Sequence, residues 1–240
     1  TFDDQNLTGT TFTIPSDMAT GTYLLECFYM GSYFQIKAYT GTGSAHAETY
    51  SAALDTAPGF MITITRTTTS GPHIYHSALG ATKYLRTDSA AAAVDSASRW
   101  NDVEPTTTQF TVGTSDPTNA NGVTIISYHW ANSGPYLFGD YTGNGSSTDG
   151  PFINVGGSPK TMWHKISAGS VNDWLMFSSE WSDNVIDEYL NPNATTGFST
   201  LSTKKEDIVS NGAKIVGSNA TFNTSSGAYI YMAFGIQPIQ

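Results

Sequence analysis

An internal repeat of roughly 100 residues most restricts what this chain can fold into, because a tandem unit must close its own core or bury it on its neighbour. Tyr39-Thr40-Gly41-Thr42-Gly43-Ser44 returns as Tyr141-Thr142-Gly143-Asn144-Gly145-Ser146. A proline and a strand-like run follow each time. Pro58 precedes Phe60-Met61-Ile62-Thr63-Ile64, and Pro159 precedes Thr161-Met162-Trp163-His164-Lys165-Ile166. The copies also close alike, with residues 109–113 before 121–130 and residues 213–217 before 226–234. Each closing pair, with its Ser, Asn and Gly loop, reads as two antiparallel strands. Residues 11–15 and 21–29 match that same closing pair. The expected organisation is a terminal strand pair of a preceding copy (1–37), repeat one (38–138) and repeat two (139–240).

The fold class expected is all-β: two tandem β-sandwich repeats, jelly-roll or lectin-like, with a partial third copy at the N-terminus. Composition agrees. Charged residues are only 12%, and aromatic residues are 12%; Thr suits a pleated surface, while Gly, Asn and Ser suit turns. Short helices are expected in residues 89–98, rich in Ala, and as a turn at 204–208. No longer helical periodicity appears.

The formal net charge is -10, and no basic stripe is present, which argues against nucleic acid as a partner. No apolar run approaches the ~20 residues of a bilayer span, so no membrane insertion is expected. No charged-then-apolar signal segment precedes the first strands. Cys27 is the only cysteine, so an internal disulfide scaffold is excluded.

Several strings resemble repeats in virion proteins of marine tailed bacteriophages. They are residues 76–85, Trp100-Asn101-Asp102 with Glu104-Pro105-Thr106-Thr107-Thr108, Tyr141 to Ser146 with Asp149-Gly150-Pro151-Phe152, Tyr189-Leu190-Asn191-Pro192-Asn193, and residues 227–234. The similarity covers roughly residues 9 to 236 and recurs in both copies. Gly156-Gly157-Ser158 departs from it where a bulkier residue is usual. The resemblance implies a module at the C-terminal end of a long tail-fibre-like or structural protein, located on the virion exterior, on a tail fibre or the capsid surface. The implied partners are other virion proteins and a host-surface polysaccharide or protein. By analogy with phage fibres a homotrimer is expected, and the lone N-terminal strand pair needs a partner sheet.

Catalytic chemistry finds little support. His73 and His76 face opposite sides of any strand they share, and no Cys or carboxylate lies at metal-ligand spacing from them. Gly-x-Ser-x-Gly, His-Glu-x-x-His and Walker patterns are absent. The Gly-x-Gly turns are followed by no helix, so they are β-turns rather than phosphate cradles. No enzymatic activity, cofactor or metal is therefore expected. Sequons at Asn6, Asn144, Asn193, Asn219 and Asn223 are what an Asn- and Thr-rich chain produces by chance.

Sugar binding is better served, since aromatic faces take the apolar side of a ring while Asn and Asp take hydroxyls. The candidate glycan sites are Trp100, Asn101 and Asp102 in repeat one, and Trp181, Asp183 and Asn184 in repeat two. Trp163 and Trp174 sit in strand-like runs and are expected in the core. The functional expectation is host-surface adhesion. The alternatives are capsid or tail decoration and, third, a glycan depolymerase acting through carboxylates such as Asp187 and Glu188.

Overall fold

A computed structural model describes residues 26–67 and 69–238. The N-terminal strand pair expected at 11–15 and 21–29 lies outside the described residues, apart from 26–29, which form no strand. The first half contains β1 (Phe34–Thr40), β2 (His46–Thr49), β3 (Pro58–Thr65), β4 (His73–His76), β5 (Lys83–Arg86), β6 (Val94–Asp95), the single turn α1 (Ala97–Trp100), β7 (Gln109–Val112), α2 (Asp116–Asn119) and β8 (Thr124–Ala131). The second contains β9 (Tyr136–Thr142), β10 (Phe152–Asn154), β11 (Gly157–Ser158), β12 (Thr161–Ile166), β13 (Leu175–Ser178), β14 (Glu188–Tyr189), β15 (Ser199–Thr200), β16 (Glu206–Val209), β17 (Gly212–Ile215), β18 (Ala228–Phe234) and β19 (Gln237–Pro238). Among the described residues no helix is long and apolar enough to cross a membrane.

Each half is a large antiparallel sheet covered by a small one. The large sheets run β1-β8-β3-β4-β5-β6 and β9-β18-β12-β13 in space; the small ones are β2-β7 and β10-β17-β16. Strands at matching repeat positions take matching places: β1 and β9 both flank the long closing strand, and β2 and β10 both pair with the strand before it.

The closing segments do not pair with each other, contrary to the hairpin expectation. β7 bonds to β2, whereas β8 bonds to β1 and β3. Likewise β17 bonds to β10 and β16, and β18 to β12 and β9. The linking loop crosses from the small sheet to the large one, and an asparagine in it holds the crossing. Asn119 accepts from the Thr42 N–H (2.8 Å) and donates to the carbonyls of Ser44 (2.8 Å) and Gly113 (2.6 Å). Asn223 repeats this pattern, accepting from the Asn144 N–H (2.9 Å) and donating to Ser146 (2.9 Å) and Gly217 (2.7 Å). Both asparagines are fully buried.

The opening motif fits this clasp residue by residue. Tyr39 and Tyr141 donate their hydroxyls to the carbonyls of Thr118 and Phe222. A Cβ on Gly41 or Gly143 would lie 2.2 Å from the Ala120 or Thr224 carbonyl oxygen, so only glycine fits. Gly43 and Gly145 have φ of 72° and 70°, the left-handed region that glycine enters at no steric cost.

Three hydrophobic clusters divide the interior. One, with Tyr39, Met61, Tyr75, Trp100, Phe110 and Ile125, lies between the two sheets of the first half. Another, with Met162, Leu175, Phe177, Ala213 and Phe222, lies between those of the second. The third joins the halves: Phe34, Phe60 and Trp130 meet Tyr136, Phe138 and Phe234 where the large sheets stack face to face. Both large sheets are thus covered on both faces, which is why β4 and β13 are buried at every position.

The helical expectations shrink. In residues 89–98 the chain forms β6 and only begins α1, and 206–209 is a strand paired to β17 rather than a helical turn. Tertiary pairing overrides the weak local preference at both places.

Asn223→Ala leaves two N–H groups and two carbonyls without the amide that joins them. The expected loss is roughly 3 kcal/mol or more of unfolding free energy, read from urea denaturation, with a matching loss for Asn119→Ala.

Candidate functional site

Trp100 is a core residue, not a sugar platform. It is 1% exposed, and its indole N–H donates to the Lys83 carbonyl at 3.2 Å. Asn101 caps α1 in the left-handed conformation at φ 55°, and Asp102 continues the turn at φ 54°. Both are exposed, but the tryptophan that was to supply the stacking face points inward. In the second half Trp181 packs edge-on against Phe198, with centroids 4.7 Å apart. Asn184 uses both ends of its amide on the β16 backbone at Ile208 and also reaches the Asp207 carboxylate. It therefore anchors its loop, while Asp183 beside it is exposed. Trp174 lies in the core as expected, its indole donating to the Arg86 carbonyl (2.8 Å); Trp163 is half-buried beside it.

The described residues do form a cleft of about 300 Å³ at one end of the contact between the halves. Its lining comes from five separate stretches of chain: Glu26 to Phe28, Pro135 and Tyr136, Lys160 and Thr161, Ser178 with Glu180, and Phe234 with Gly235. These are the starts of β9 and β12, the ends of β13 and β18, and the segment leading to β1.

Comparison of the halves explains why space exists there. In the first half Phe60 pairs across to Trp130 on one side and His76 on the other. In the second, Thr161 pairs to Phe234 and Ser178. A phenylalanine and a histidine are thus replaced by two small hydroxyl residues. Phe60 stacks on Phe138 with centroids 5.6 Å apart, and His76 meets the same ring at 6.3 Å. The second half fills the equivalent volume only in part, with Phe28. That ring touches Phe34 and Trp130 on one side and their counterparts Tyr136 and Phe234 on the other. The residue preceding Phe60 is Gly59, whose added Cβ would strike Phe138 at 2.5 Å. Its counterpart is Lys160, whose ammonium binds Glu180 at 2.7 Å over the cleft.

Glu26 differs from this ion pair. Burial raises the pKa of its carboxyl, and a hydrogen bond with the Thr161 side chain partly opposes the shift. Burial, and then the Glu26 charge, raise the pKa of the neighbouring Tyr136. The cleft is therefore lined by an acceptor carboxyl, a cation held by a second carboxylate, three hydroxyl-bearing residues and three aromatic rings. Among the described residues no group of three or more His, Cys, Asp or Glu could hold a metal ion.

Other polar groups are sealed inside the sandwiches. His164 and Glu206 are both fully buried and lie 2.9 Å apart, with the Tyr141 hydroxyl 3.2 Å from the other ring nitrogen. At 0% exposure this constellation lies inside the second core. His76 reaches the Tyr231 carbonyl across the junction at 3.1 Å. Burial lowers its pKa to about 4 and that of His129 to about 3. His73 is lowered to about 4 by burial, with Arg99 adding to the effect. All three are neutral in the folded state where the unfolded chain, titrating near 6.5, is already charged.

Their contribution is therefore present above pH 6.5 and lost as pH falls, through the window down to about 4 for His73 and His76 and to about 3 for His129. Urea-derived stability is expected to be flat near neutrality and to fall below pH 6.5. His76→Gln should remove about one proton from the slope of that fall.

A family model described as a domain of unknown function (DUF7483) matches residues 29–238, so one family unit takes in both halves, while Glu26, Cys27 and Phe28 of the cleft precede the matched residues. No curated protein and no solved structure matches the chain.

Proposed function

The chain belongs to the DUF7483 family, and we propose that it is an exterior structural module of a bacteriophage virion, in a tail fibre or receptor-binding protein, that adheres to host-surface glycan. The observation that carries the adhesion reading is the cleft. Its volume of about 300 Å³ is at the small end of the roughly 300–1,000 Å³ typical of ligand sites. Rings from Phe28, Tyr136 and Phe234 offer apolar contact to the C–H face of a sugar, and Glu26 with Thr161 offers partners to hydroxyls. The two stacked sandwiches suit a particle surface, because a site on the ends of packed strands keeps its shape without a ligand. The virion location rests on the resemblance of the repeat strings. Homotrimers and contacts with other virion proteins belong to the same proposal.

Capsid or tail decoration is the competing role, and copy number per particle separates the two: hundreds mean cladding, a few trimers mean a fibre. Two carboxylates in one cleft also keep a depolymerase in view; shortening of host capsule chains on incubation with the protein would favour it.

Thr161→Phe restores at this position the residue that the first half carries. The melting transition is expected to persist while retention on a host-glycan array falls at least about tenfold, the scale of one lost stacking and hydrogen-bonding site. Retention unchanged by the substitution would place adhesion elsewhere on the surface.

A further inference from the structure

Among the described residues, the polar groups of the cleft are unequally committed. The Lys160 ammonium is held by Glu180 at 2.7 Å. The Ser178 hydroxyl donates to the Lys160 carbonyl at 3.2 Å and accepts from the Glu180 N–H at 3.3 Å. Glu26 hydrogen-bonds the Thr161 side chain; no cation pairs with it. A carboxylate has about four acceptor sites and no donor, so most of its capacity is open to a ligand that brings donors. The ring edges and faces beside it belong to Phe28, Tyr136 and Phe234, and aromatic faces attract cations. Anionic ligands meet the opposite conditions: the open group is a carboxylate, the one lysine is neutralised by Glu180, and the chain carries a formal net charge of -10.

We infer that the cleft takes a sugar ring carrying a free, protonated amino group, with the ammonium on the Glu26 carboxylate and the C–H face of the ring on Phe234 and Tyr136. The inference rests on the glycan-adhesion reading and narrows it to a class of sugar. The burial that disfavours the Glu26 charge in the empty cleft becomes a source of selectivity, because a cationic ligand supplies the counter-ion that the described residues do not. An N-acetylated amino sugar lacks that charge and adds a methyl group. A uronic acid adds a second negative charge beside the first.

The test uses the full chain in isothermal titration calorimetry at pH 6, where both the amine and most carboxylates are charged. The probes are a glucosamine hexamer, its fully N-acetylated counterpart and a panel of neutral hexose oligomers. The glucosamine hexamer is expected to bind at least about tenfold more tightly than the N-acetylated one, the scale of one charge-assisted contact. Glu26→Gln, which keeps shape and removes charge, should erase that preference, and Thr161→Phe should abolish binding of both. Equal binding of the two hexamers, or a preference that survives Glu26→Gln, overturns the amino-group inference and leaves glycan adhesion standing. Binding of the neutral oligomers in preference to the glucosamine hexamer does the same. Absence of binding by any carbohydrate in the set overturns both.

Discussion

The stacking of the two large sheets is the contact on which the rest of the molecule depends. A sheet buried on one face can be closed by its own small companion, and each half has one. Among the described residues, the second face of each large sheet is covered by the other half and by Phe28. Phe60 on Phe138, Trp130 against Phe234, and Phe28 across both make that cover. At roughly 25 cal/mol per Å² of apolar area, such a ring cluster is a large share of the few kcal/mol by which domains are stable. Neither half is expected to hold its large sheet in water alone.

This constraint accounts for what was legible in the sequence and what was not. The all-β class, the strand positions near Pro58 and Pro159, and the turn character of the Tyr-Thr-Gly-x-Gly-Ser motif could be read from local pattern. The motif's purpose could not, since Asn119 and Asn223 reach it from about 80 residues away along the chain. Asn223 looked like a chance sequon and is a fully buried clasp. Pairing of β7 with β8 was the simple expectation from proximity in sequence. The crossover defeats it, because a loop that changes sheets leaves no local trace distinct from a long hairpin.

The tryptophans illustrate the same limit. Trp100 stands beside Asn101 and Asp102 in the sequence, which suggests one mixed surface. A helix of one turn with a left-handed cap instead sends the ring into the core while the two polar residues stay in solvent. Adjacency along a chain is evidence of a shared site only when the backbone keeps the side chains on one side. The cleft residues have the reverse property. Glu26, Tyr136, Lys160, Ser178 and Phe234 are far apart in sequence and converge because strand ends meet there.

Yet a trace of the cleft was present in the repeat itself. Where copies of one unit stack on each other, equivalent positions are held to similar volumes by packing at near-crystalline density. Phe60 and His76 answer that demand in one half, and Thr161 and Ser178 do not in the other. Left unfilled, the missing volume is a cavity with a cost that rises with its size. A pair of small hydroxyl residues there, with a lysine where its twin has glycine, departs from packing logic in a direction that packing cannot reward. Opening the volume to water and lining it with a carboxyl, hydroxyls and rings lowers that cost. It also leaves a site that a ligand can stabilise by filling it. In this molecule the shared residues build the scaffold, and the difference between the copies makes the cleft.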